Sequence, residues 1–153
     1  MKKFELTSEF ITNIFGTKLF RIKALIEFGN VKAGELGGFV EKEENLNHEG
    51  NAWVCGDAEV YGNASVCGDA RVCGNAWVCD DADYATVHGF GSEYRTTTFF
   101  KTKVGEIGVR CGCFYGNLSE FRKKVVETHG ETKKAKEYLM LADLMEFRFS
   151  DNS

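Results

Sequence analysis

Three kinds of side chain in this 153-residue chain could do chemistry, and spacing decides what each is able to do. Histidine titrates near neutrality and suits general-base work; the chain has His48, His88 and His129. The first two fall where a repeating pattern is fading, and His129 ends a helical stripe, where a cation complements the helix dipole. Of the six cysteines, Cys55, Cys67, Cys73 and Cys79 share one repeated slot, while Cys111 and Cys113 make a Cys-X-Cys without the second ligand pair a zinc site needs. No metal and no cofactor is expected. Because the slot also accepts Tyr61 and Ala85, and MKKFELTSEF turns polar at once, the cysteines read as free thiols in a reducing cytoplasm, Cys55 and Cys73 being the pair nearest to oxidation. The arginines bear on binding. For a small anion, Arg110, Arg95 and Arg71 are the candidate charge partners, with Trp53, Trp77 and Tyr94 as stacking surfaces.

The elements that must position these groups begin with a hexad. Residues 50–85 read GNAWVC, GDAEVY, GNASVC, GDARVC, GNAWVC and a decayed DDADYA. One hexad is too small to bury a core, so hexads must stack on one another. Val54, Val60, Val66, Val72 and Val78 recur every six residues with an alanine two residues before each, which puts Ala and Val on the same face of a short strand. Gly-Asn or Gly-Asp follows each strand, as a sharp corner requires. The unit is strand and corner repeated, winding into a coil.

This phrase resembles the hexapeptide repeat of left-handed parallel β-helices, in which three hexads make a triangular coil of about 18 residues. The resemblance implies that residues 18 apart stack: Asn51 on Asp69, Trp53 on Arg71, Glu59 on Trp77, Cys55 on Cys73. Each Asp then lies beside an Asn, and like-charge ladders are avoided. The same repeat behind LGGFVEKEENL (36–46), with RIKAL (21–25) and VRCGCF (109–114), is similar to proteins common in phages and prophages. Family enzymes of this fold transfer acyl groups from acyl-CoA with a histidine base in a cleft between subunits.

The expected architecture is therefore mainly β, a short left-handed parallel β-helix of two to three coils between two modules. Residues 1–49 would be an N-terminal β-hairpin cap, 50–90 the β-helix, and 91–150 a β-hairpin followed by two helices. In the last module Ile107, Val109, Cys111 and Cys113 share one face, and Arg110 stands between Gly108 and Gly112 on the other, a low surface open to close approach. Asn117 with Glu120 reads as a capping box, Gly130 as a stop, and a second helix starts near Thr132. Valines and alanines of two coils bury too little to stand alone, so caps and self-association are expected, a trimer first and a dimer next, with Trp53, Trp77 and Tyr61 facing outward.

Charge separates the modules. Residues 50–90 hold six acids against Arg71, net −5, whereas residues 91–149 hold eleven bases against eight acids, net +3. An acidic coil argues against nucleic acid along it, and the basic module suits an anion or an acidic partner. No apolar run approaches the roughly 18 residues of a membrane helix. An unbroken repeat with no inserted loop leaves no acceptor pocket for acyl transfer. The preferred reading is a non-enzymatic oligomeric binding protein, phage or prophage encoded, that inhibits host immunity by blocking a host protein or sequestering a nucleotide signal. An acyltransferase and a structural or assembly protein are the alternatives.

Overall fold

In this computed structural model, which describes residues 2–91 and 95–150, the corner glycines cut the repeat into strands only two residues long. Gly50, Gly56, Gly62, Gly68 and Gly74 all have φ between 64 and 77°, a region that L side chains rarely adopt. The resulting strands are β4 (Trp53–Val54), β5 (Glu59–Val60), β6 (Arg71–Val72) and β7 (Trp77–Val78), flanked upstream by β1 (Phe4–Thr12), β2 (Lys18–Ala24) and β3 (Leu36–Val40). Downstream come β8 (Tyr84–Phe90), β9 (Arg95–Lys101), β10 (Ile107–Cys111) and β11 (Phe114–Asn117), then α1 (Leu118–His129) and α2 (Lys133–Arg148).

The strands form three sheets: a five-stranded mixed sheet in the order β1-β2-β3-β5-β7, a four-stranded antiparallel sheet in the order β11-β10-β9-β8, and the parallel pair β4-β6. This corrects the expected architecture. The chain is a mixed, sheet-rich fold with two helices, not a left-handed parallel β-helix between caps. The physical reason is the shortness of the repeat strands: two-residue ladders bury too little to form a body of their own, and the flanks take them over. β3 lies parallel on β5, and Arg71 of β6 donates its backbone N–H to Thr98 Oγ1 of β9 at 3.0 Å.

Within that frame, residues 18 apart do pair. Trp53 lies opposite Arg71 and Glu59 opposite Trp77, with backbone bonds such as Trp53 N–H to the Ala70 carbonyl at 3.0 Å. Val54, Val60, Val66, Val72 and Val78 are fully buried in one core with Phe4, Ile22 and Phe100. A second core joins Phe99 and Val109 of the four-stranded sheet to Phe121, Val125, Tyr138 and Met145 of the helices. Capping is local and complete: the Asn117 side chain accepts from Glu120 N–H at 2.8 Å, Glu120 reaches back to Asn117 N–H at 2.9 Å, and Thr132 caps α2 through Ala135 N–H.

Two further expectations are corrected. Trp53 is not outward; it is 0% exposed, because Phe28 packs edge-on at 5.3 Å and Gly37 leaves the space its indole fills. Cys55 and Cys73 are not free thiols but a disulfide, their Cα atoms 4.6 Å apart one position beyond the Val54–Val72 pair. Cys67, Cys79, Cys111 and Cys113 are free. Among the described residues no helix is long and apolar enough to cross a membrane.

Candidate anion-binding site

The β10–β11 turn organises the basic side chains of the C-terminal sheet. Gly112 adopts φ 59°, and the Arg95 guanidinium occupies the volume where a side chain on residue 112 would stand. On the same residue, the Gly112 carbonyl accepts from Arg110 Nε at 2.8 Å. Gly112 thus holds Arg95 and Arg110 on either side of one turn. Gly108, the other glycine beside Arg110, is no open surface, since the Phe100 ring fills the place of its missing side chain.

Arg95 enters a cavity of about 640 Å³ between the sheet and the helices. Phe90, Phe114 and Tyr138 supply aromatic walls, and Lys124 and His129 of α1 add basic groups. Tyr138 is held in place: its hydroxyl donates to the Phe90 carbonyl at 3.1 Å, and His129 stacks on its ring at 6.0 Å. Burial, with Cys111 beside it, pushes the Tyr138 phenol well above its usual pKa, so it remains a neutral donor across the physiological range. Cys111 is a neighbour of that donor and accepts from Thr97 Oγ1 at 3.2 Å. Apolar walls with a few convergent polar groups are the ordinary form of a small-molecule site.

The six residues expected from the sequence separate into groups. Arg71 and Arg110 are both placed at Thr98, on the seam between the repeat and the C-terminal sheet, and Arg95 lies across Gly112 from Arg110. Trp53 is sealed in the core. Trp77 stands elsewhere, stacked on Phe15 at 6.0 Å and lining a smaller cavity of about 330 Å³ with Asn13 and Lys103. Tyr94 lies outside the described residues.

Lys124, His129, Tyr138, Phe90 and Phe114 were not singled out as site residues. Their signal was present but ambiguous: Tyr138 sits on the inner stripe of α2, where an aromatic reads as core, and His129 is explained by its helix end. The other histidines have structural surroundings. His48 Nδ1 accepts from Lys3 N–H at 3.1 Å and stacks on Phe4, while His88 bonds Thr96 Oγ1 at 2.9 Å on exposed strand β8. Among the described residues no three His, Cys, Asp or Glu side chains converge as a metal site. No protein-family model matches the chain, and no curated protein matches it at a significant level.

Proposed function

We propose that this chain is a non-enzymatic binding protein whose C-terminal cavity takes a small anionic ligand with an aromatic or apolar part, a nucleotide being the class that fits. The observation that carries this reading is the cavity's composition: Arg95, Lys124 and His129 converge beside a group of aromatic side chains that includes Phe90, Phe114 and Tyr138. A phosphate gains charge-assisted hydrogen bonds from the basic groups, and a base gains stacking on the rings. The repeat resembles those of phage and prophage proteins, so sequestration of a host nucleotide signal is the biological role consistent with such a pocket.

Binding only to the native state raises stability by mass action, about 2.7 kcal/mol at a ligand concentration of 100 Kd. A thermal-shift series with linear and cyclic mono- and dinucleotides tests the reading. At least one nucleotide should raise Tm saturably, with the shift lost in Lys124→Glu and no product formed. Absence of a shift with every nucleotide, or turnover of the ligand, overturns it.

A further inference from the structure

We propose a second binding site, separate from the cavity: Arg71 and Arg110, brought together at the seam between the repeat and the C-terminal sheet, form a clamp for a small oxyanion of the phosphate type. The two guanidiniums arrive by different routes. Arg71 opens β6 of the parallel pair, and its backbone N–H is fixed to Thr98 Oγ1 at 3.0 Å. Thr98 is in turn the register partner of Arg110 in the antiparallel sheet. One threonine therefore holds both arginines to the same patch.

Their bonding is incomplete. Among the described residues neither guanidinium has a carboxylate within ion-pair distance; Glu35 acts on Arg71 only from farther away, and its Oε1 accepts from Lys32 N–H. Arg71 Nε is fully occluded and has no acceptor. Its register neighbour Trp53 has an occluded Nε1 in the same condition. Among the described residues Arg110 spends only Nε, on the Gly112 carbonyl. A buried donor without a partner and two half-buried like charges that act on one another across Thr98 are both costly, and burial together with the charge of Arg110 depresses the Arg71 pKa. An anion between the two removes both costs. The planar fork of a guanidinium matches two oxygens of a phosphate, and a tetrahedral group can accept from two such forks, as a planar carboxylate does less well.

The test is nuclear magnetic resonance of the arginine Nε–H groups in the full chain, titrated with sodium phosphate up to about 10 mM against sodium chloride at matched ionic strength. The Arg71 and Arg110 signals should move saturably with phosphate alone. Arg71→Lys and Arg110→Ala should each weaken the response about tenfold or more, since a charge-assisted bond is lost. Lys124→Glu, which disables the cavity, should leave it unchanged, so this proposal and the nucleotide reading fail separately. Arg110→Ala removes a half-exposed side chain and decides the matter if Arg71→Lys does not fold. Adenosine monophosphate in a parallel titration distinguishes sources: tighter binding than inorganic phosphate assigns the oxyanion to a larger ligand, and equal binding assigns it to free phosphate. Signals that follow chloride equally, that persist in folded Arg110→Ala, or that vanish in Lys124→Glu overturn the site.

Discussion

The repeat and the C-terminal sheet with its helices are built to opposite ends. In the repeat, environment is set by counting: Val54, Val60, Val66, Val72 and Val78 are equally and fully buried, and each corner glycine has nearly the same φ. In the C-terminal region no two positions are alike, and Arg95, Arg110 and Tyr138 owe their surroundings to segments far away in sequence. Periodicity makes a surface that is regular and chemically uniform, whereas a concave site with convergent charges needs departures from it. The cavity accordingly lies between sheet and helices, and the arginine pair lies where the two kinds of structure meet.

Val66→Asp places a charge in an apolar core site that is 0% exposed and should abolish soluble folding. Expression and circular dichroism check this; a folded variant of unchanged Tm shows that the inward register is wrong. Gly112→Val acts on the other region. It asks a β-branched residue to adopt φ 59° and evicts Arg95, so a cost of about 1–3 kcal/mol is expected together with at least tenfold weaker nucleotide binding. Denaturant unfolding and calorimetry read the two effects. Unaltered binding in that variant removes Arg95 from the site.

A smaller effect tests how the repeat is joined to its flank. Lys3 is 1% exposed, with Nζ donating to the Ala52 carbonyl at 2.8 Å, and burial lowers its pKa from 10.5 to about 8. Below pH 8 folded and unfolded chains both hold the proton, and the fold carries the full cost of the buried ammonium. Between pH 8 and 10.5 the unfolded chain binds more protons, so this group's contribution to stability rises with pH, by on the order of 1 kcal/mol per unit. Cys79, whose thiol is pushed up by burial, opposes the trend above its ordinary value of 9.0. The difference between wild type and Lys3→Met isolates Lys3, and a difference independent of pH from 8 to 9 refutes the assignment. The least effect belongs to the ladder of corner side chains. Asn51 Nδ2 reaches Asp69 Oδ1 at 3.5 Å, so Asn51→Asp sets like charges side by side on an exposed edge. A loss of about 0.5 kcal/mol is expected, shrinking with added salt; salt-independent melting curves argue against the pairing.

Legibility in the sequence follows the range of the interaction. The inward valines, the Asn117–Glu120 capping box, the Gly130 stop and the turn at 103–106 are written within a few residues each, and each lies where its spacing places it. Pairing at a separation of 18 came from the resemblance to coils of three hexads, since a six-residue period does not by itself say how many hexads close a turn. The architecture was not. Periodicity describes the repeat as though it were the body of the protein, while β3 takes β5 into its own sheet and the Thr98 side chain of β9 ties β6 to the C-terminal sheet. Trp53 recurs with the same spacing as Trp77, yet only Trp53 is covered, since Phe28 and Gly37 exist at one end of the repeat alone.

What the sequence by itself determined is the set of local choices: which residues turn inward, where corners and caps fall, and that basic groups gather after residue 90. Those follow from φ preferences, side-chain periodicity and hydrogen bonds between near neighbours, which act before any long-range contact exists. Only the tertiary structure decided that Arg71 meets Arg110, that Gly112 gives Arg95 its place, and that Tyr138 closes a cavity with Phe90. These depend on pairings between segments tens of residues apart, selected by how all the buried surfaces fit at once, and no spacing within a single segment encodes them.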